Sequence, residues 1–429
     1  MTRFILPLCC LLTALNLSAQ SVVHPKVDET LDTPELTLRF QERKQNYSPN
    51  GVSREKDLYS PKSVNIHPSG EKYYVNSLEG GNTLVFDFAT GEKLKVILHT
   101  FDETKDKGLW APESGLFSFN HHYAHPNSFT GKPVESVFTH GGRYLWVPYY
   151  RRNYDLNAQE PSAMAVIDTD RDQIVRLFET GPLPKMVAVS PDGHYLAVTH
   201  WGNNTVGILD ISSPRMEDWH YVACHIVDYQ LKLNYSLTTP VDRDNSSGYC
   251  LRGTVFTPDN RYLLVGCMGG GGGIAVIDLE QGRYLGRVMG AMPNLRHILL
   301  SGGYLYASIN KSGHVQRIPL EQFFAAVDQL DGGKSTLATA KGWTSCKVPA
   351  GARTIVLSPD GRFVFAACNY ASRIAVVDTR DMRFVGELAA DSFPVGLDIS
   401  QDGRFLISTS QGRSGTGGNA VDIFEVTYK

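Results

Sequence analysis

Short runs of alternating apolar and polar residues, cut by tight-turn signals, recur along the chain from residue 61 onward. In 61–70 (PKSVNIHPSG), 184–193 (PKMVAVSPDG) and 351–361 (GARTIVLSPDG), the alternation leads into Ser-Pro-Asp-Gly or a near variant. Period-two alternation marks a half-buried strand, and Pro and Gly supply the backbone of a tight turn. A second apolar strand follows at once, at 73–75, 195–198 and 363–365. After a polar loop comes a third strand ending in aspartate: LVFDF around Asp87, VGILD to Asp210 and IAVVD to Asp378. A fourth, less regular strand closes each unit.

Weaker copies raise the count to seven units, starting near 61, 133, 184, 251, 295, 352 and 394. The tightest spacing, Gly361 to Gly403, is 42 residues, the length of one four-stranded propeller blade. Residues 21–429 therefore read as a single all-β domain, a seven-bladed β-propeller of four-stranded antiparallel blades. The last unit has only three strands. The alternating stretch 35–40 (ELTLRF) is available as its fourth, which would close the ring without an exposed strand edge.

Three features, P-x-x-h-x-h-S-P-D-G, then Tyr74-Val75-Asn76, then h-x-V-h-D, resemble the YVTN repeat of seven-bladed β-propellers in surface-layer proteins and exported bacterial propellers. The resemblance covers about 61–429 and implies a fold. That family hosts unrelated roles, so function has to be argued from a site.

Composition narrows the classes. With 41 Lys+Arg against 44 Asp+Glu the formal charge is -3, which argues against nucleic acid as a partner. Hydrophobic residues at 42%, with 20 Tyr and 19 Phe, exclude a disordered chain. The N-terminus has Arg3, then an apolar run over 4–15, then small residues before Ser21. That is the pattern of a signal peptide over 1–20, cleaved after Ala19 or Gln20, and it predicts export to the periplasm, cell surface or medium. The run is too short to span a bilayer. Cys9 and Cys10 lie inside it rather than after it, which disfavours a lipid anchor. Five cysteines remain, with no CxxC pair; Cys224 and Cys250 bracket an insertion and form either a disulfide or two buried thiols.

Aligned on the residue before each turn, the position five upstream holds Lys62, Val134, Lys185, Arg252, Arg296, Arg353 and Val395. Five of these seven are basic in a slightly acidic protein. The innermost strands of a propeller begin around its central channel, so the five cations should crowd one mouth and hold an anion. Val134 and Val395 flank the first blade and should leave a neutral gap. Two long insertions, 101–132 and 213–249, should rise on the same face, where binding residues of rigid scaffolds collect. The loops after the second strands add Tyr149, Arg151, Trp201 and Tyr370. Aromatic faces beside cations suit acidic sugars, because rings stack and Arg forks onto a carboxylate.

The segment 119–129 (FNHHYAHPNSF) carries His121 and His125, which with His200 are the candidate acid–base groups. His121 and His125 have metal-ligand spacing only on a helix, which the surrounding Asn and Pro oppose, so no metal set is assigned. No GxSxG, P-loop, haem or EF-hand motif occurs, and the glycine run 269–273 opens no helix; no cofactor is expected. The expected function is an exported propeller holding an anionic ligand, such as an acidic polysaccharide, or a protein partner. The alternative is a lyase or glycosidase acting on uronic-acid polysaccharide.

Overall fold

Residues 29–47, 53–332 and 336–429 are described by a computed structural model; the segment 1–20, expected to be a signal peptide, lies outside them. The chain forms seven mainly antiparallel sheets arranged as blades around a central channel. Blade 1 comprises Pro61–Ile66, Lys72–Ser77, Asn82–Asp87 and Lys93–Leu98. Blades 3 to 6 repeat this four-stranded core, with innermost strands Pro184–Val189, Leu251–Phe256, Leu295–Ser301 and Ala352–Leu357. Blade 4 adds a fifth strand, Leu337–Thr339, parallel to Arg283–Met289. Blade 2 starts with the short strand Val137–Thr139. Its long second strand, Tyr144–Arg152, also pairs with Phe129–Pro133 of the preceding insertion. Among the described residues one α-helix occurs, Leu320–Val327, in the excursion between the third and fourth strands of blade 5.

Blade 7 closes the ring as expected. Its inner strands are Pro394–Ile399, Phe405–Ser410 and Ala420–Tyr428, and Leu36–Gln45 pairs antiparallel with the last of these. The closing strand is longer than the six residues read from sequence and gains Thr30–Asp32 outside it. Its seam is ionic and buried. Arg43 donates from Nε to Asp422 Oδ1 at 2.5 Å and from Nη2 to Asp422 Oδ2 at 2.8 Å, with Asp391 Oδ2 3.6 Å from Nη1.

Apolar residues of adjacent blades form the core. Val64, Tyr73, Leu84 and Phe86 of blade 1 pack with Ile407 and Val421 of blade 7. Each such side chain, fully buried, contributes roughly 1.5–3 kcal/mol, which ties the blades into a rigid ring. The Ser-Pro-Asp-Gly turns need a left-handed residue at their end. Gly193 supplies it at φ 75°, and in the variant Thr-Pro-Asp-Asn of blade 4 Asn260 does so at φ 59°.

Blades are also stapled where their inner strands begin. Ser63 Oγ donates to Val134 O at 2.8 Å, Ser308 Oγ to Arg353 O at 2.6 Å and Thr354 Oγ1 to Val395 O at 2.6 Å. Each bond runs from one blade to the repeat position five residues upstream of the next blade's turn, and so fixes the backbone around the channel.

The five described cysteines are free thiols, so no disulfide closes the insertion between Cys224 and Cys250. Cys224 lies on the outer strand of blade 3, and Cys250 is buried where blade 4 begins. The insertion is held by backbone bonds instead, from Val227 N to Asn204 O and from Leu231 N to Asn203 O. Of the 213–249 insertion expected on the rim, 213–219 connects the third and fourth strands of blade 3 and thus lies on the opposite face; only 227–249 reaches the expected rim.

Candidate functional site: the channel mouth

Lys62, Lys185, Arg252, Arg296 and Arg353 begin the inner strands of five blades and meet at one mouth of the channel. Antiparallel order puts the start of each inner strand on the same face as the loop between its second and third strands. Lys62, Arg252 and Arg353 are buried, while Lys185 and Arg296 are half-buried. The cations sense one another. Burial pushes Lys62 well below the usual lysine range, and Arg353, Arg252 and Lys185 push it further. Burial brings Lys185 down to about 8. Burial and Arg252 bring Arg296 down to about 10, and burial with Arg296 and Arg252 depresses Arg353.

The expected neutral gap is filled. Glu135 follows Val134 directly and stands 3.4 Å from Lys62 Nζ, while Arg252 Nη2 donates to the same carboxylate oxygen, Oε1. Burial works to raise Glu135, but Arg252, Lys62, Arg353 and Lys185 outweigh it and hold the carboxyl well below its usual range. Among the described residues, this is the only carboxylate in an ion pair with any of the five cations. Sequence reading passed over Glu135 because it lies one residue off the aligned position. The signal available was an acid beside a valine in a column of cations.

The other cations rest directly on aromatic and neutral groups, while the Asp244 carboxylate acts on Lys185, Arg296 and Arg353 from beyond ion-pair distance. Lys185 Nζ lies 4.6 Å from the centre of the Tyr150 ring and 5.4 Å from that of Trp201. Arg296 Nη1 reaches Asn310 Oδ1 at 3.4 Å, and the Arg353 guanidinium sits 6.0 Å from the Phe393 ring. Buried nitrogens Arg252 Nη1, Arg296 Nε and Arg353 Nε have no hydrogen-bond partner among the described residues. Below the mouth the channel opens into a cavity of about 200 Å³ bordered by Glu135, His297 and Asp398. Burial raises Asp398 to about 7, and it accepts the N–H groups of Ile66 at 2.7 Å and Ile399 at 2.9 Å.

Several residues named from sequence lie elsewhere. Tyr149 is fully buried between the insertion and blade 2, where His99 Nδ1 is 2.9 Å from its hydroxyl; it packs and presents no face to the rim. Its neighbour Tyr150 meets Lys185, because successive strand residues point to opposite faces. Trp201 is buried too, but against Lys185, with Nε1 donating to Arg243 O at 3.2 Å. Arg151 turns back onto Asp155 O at 3.0 Å. Tyr370 is 42% exposed, beneath the Arg413 guanidinium at 4.9 Å.

The histidines do not converge. His200 is fully buried: Gly181 N donates to its Nε2 at 3.0 Å, Thr205 Oγ1 is 2.8 Å from its Nδ1, and burial lowers it to about 3. A proton carrier near neutral pH is excluded by that environment. His121 bonds to the buried Glu160, and the exposed His125 pairs with Glu103 at 2.6 Å. Segment 119–129 is irregular up to the strand at Phe129, and no cluster of three metal-ligating side chains occurs among the described residues.

A propeller ring with a polar channel mouth is a widely used scaffold, and comparison with known proteins places this one. The model of the lactonase, seven-bladed β-propeller family matches residues 157–426, and the chain belongs to that family. It is 24% identical over 252 residues to the hydrazine synthase subunit beta of Kuenenia stuttgartiensis, covering 51% of this chain and 59% of that one. It is 34% identical over 139 residues to a 6-phosphogluconolactonase of Sodalis glossinidius (strain morsitans), covering 30% and 38%. The chain thus spans less than two thirds of the length of either relative. In three dimensions it resembles Kuenenia stuttgartiensis hydrazine synthase (TM-score 0.58, 16% identity, 88% of this chain and 98% of that one). It also resembles the Cps50 (Swd1) β-propeller domain of Myceliophteria thermophila (TM-score 0.55, 12% identity, 86% and 97%). At such identities the likeness is one of fold.

Proposed function

We propose that the channel mouth binds an anionic ligand, a sugar derivative bearing carboxylate or phosphate. The observation that carries this reading is the charge imbalance: five cations converge on one ion-paired carboxylate, Glu135. Buried donors without partners cost free energy unless something satisfies them, and an anion would serve several at once. The half-buried rings of Tyr150 beside Lys185 and Phe393 beside Arg353 favour a ring-shaped ligand. Export is part of the proposal and rests on the basic and apolar pattern of 1–20 alone.

A second reading, hydrolysis of an acidic sugar lactone at the same mouth, is favoured by the family match and by the name of the 6-phosphogluconolactonase relative. The cations would orient the anionic substituent and stabilise charge developing on the lactone carbonyl oxygen. Glu135, held ionised but made a weak base by the cations around it, would orient an attacking water whose proton passes to solvent. Cleavage of uronic-acid polysaccharide has less support, since His200 is sealed in the core and His121 and His125 pair with separate carboxylates.

Calorimetric titration with glucuronate, galacturonate, phosphate and 6-phosphogluconate tests the binding reading. Replacing Arg252 and Arg353 together by Ala should weaken the best of these about a hundredfold at low salt, with the loss shrinking as salt rises. Unchanged binding by the double variant would refute it. Base uptake with lactones of sugar acids, followed at constant pH, separates turnover from binding.

A further inference from the structure

We propose that the cleft between the two rim insertions is a second subsite, accepting a hydroxyl-rich sugar unit, so that the ligand of the mouth is an oligosaccharide. This inference rests on the anion-binding reading above. The cleft, of about 490 Å³, lies between the 101–132 insertion and the 227–249 connection, and Phe117, Asn120, Gln159, Asn203, Gln230 and Lys232 line it. Small-molecule sites commonly measure about 300–1,000 Å³. Its lining contains no carboxylate and one cation, Lys232, unlike the mouth. Uncharged amides beside an aromatic ring match the alternating hydroxyl edges and apolar face of a sugar.

The walls are fixed before any ligand arrives. Gln159 accepts the N–H of Tyr235 at 2.6 Å and donates to its carbonyl at 3.1 Å. Asn157 donates to Ser236 O at 2.7 Å and Thr239 O at 2.9 Å, and accepts from Val241 N at 2.8 Å. Glu160 accepts the N–H of Asn120 at 2.8 Å, anchoring the other wall, and Phe117 packs edge-on to His200 and Tyr221. Against this bonded frame, the exposed side chains of Asn120, Gln230 and Lys232 have no hydrogen-bond partner among the described residues. Rigid walls with free polar ends reduce the entropy lost on binding.

Mouth and cleft share a wall. The loop after the second strand of blade 3 contributes Trp201, which covers Lys185 in the mouth, and Asn203, which lines the cleft. Arg243 braces that loop from inside, donating from Nη2 to Gly202 O at 2.9 Å. A chain with an acid group at the mouth therefore has its next units directed over this wall.

The test is a length series of oligogalacturonides, from monomer to hexamer, titrated into the full chain. Affinity should rise about tenfold or more between monomer and tetramer as the second subsite is engaged. In a variant with Asn120→Ala and Gln230→Ala, both exposed positions, the gain should vanish while monomer affinity stays. Affinity independent of length, or a gain the variant keeps, would overturn the subsite and leave the anion-binding mouth standing. Failure of every oligomer and of galacturonate to bind would overturn the subsite, and failure of glucuronate, phosphate and 6-phosphogluconate as well would overturn both.

Discussion

Lys62 Nζ stands 3.4 Å from Glu135 Oε1 across the joint between the first and second blades, with both groups largely withdrawn from solvent. Because Arg252 reaches the same oxygen from the fourth blade, one carboxylate holds together cations from distant parts of the ring.

Removing that carboxylate should expose the repulsion it suppresses. Glu135→Gln should lose about 3 kcal/mol of stability in low-salt denaturant unfolding, since breaking a buried pair strands the remaining charges. Added phosphate should restore much of the loss by taking the place of the carboxylate. Unchanged stability in the variant would mean that the cations do not depend on Glu135.

Lys185 makes binding sensitive to pH. Its folded value is about 8 against an ordinary 10.5, chiefly through burial. The unfolded chain therefore binds more protons between about 8 and 10.5, and the penalty of the buried ammonium, full below 8, is relieved as pH rises through that window. An anion at the mouth favours the charged form, so binding at pH 8.5 should be accompanied by proton uptake. Calorimetry in buffers of different ionisation enthalpy reads this directly, and the uptake should fall in Lys185→Met, leaving only the share taken up at Lys62, which burial and its neighbours also depress.

Asp398 acts in the opposite sense. Its folded value of about 7 lies above the ordinary 3.8, because burial disfavours the carboxylate. Stability from the retained proton is full below about 4 and is lost as pH rises through 7. Unfolding free energies measured from pH 4 to 8 should fall across this interval in the parent chain and fall less in Asp398→Asn. Parallel profiles would assign the slope to other groups.

The closing seam should depend on Arg43. Arg43→Met leaves Asp422 and Asp391 buried without their cation, a loss of about 3–5 kcal/mol by denaturant unfolding. Asp391 titrates at about 6, mainly because burial raises it, so the deficit should be smaller at pH 5 than at pH 8. An equal deficit at both would show that Asp391 carries no charge into the seam.

Much of the architecture was legible because the fold repeats. Turn motifs, reduced to Thr-His-Gly-Gly in blade 2 and Ser-Gly-Gly in blade 5, mark the repeat, and alternation within the strands sets which side chains face the neighbouring blade. The unpaired alternating stretch near the N-terminus likewise marks how the ring closes, although its extension to Gln45, where Arg43 meets Asp422, breaks the alternation and shows only in the structure. Tyr149 and Tyr150 show where the reading stops. Both are aromatic and adjacent in sequence, and only the insertion packed over blade 2 decides that Tyr149 faces His99 while Tyr150 faces Lys185.

The sequence by itself determined the seven-fold periodicity and the column of five cations, because both are local properties repeated at a fixed interval. Tertiary structure alone decided what those cations meet. Glu135, Trp201 and Phe393 come from different blades, and the burial that shifts Lys62 and Lys185 arises only when the ring closes around them. Electrostatic environment depends on distance through space and on exclusion of water, and neither quantity is written along a chain.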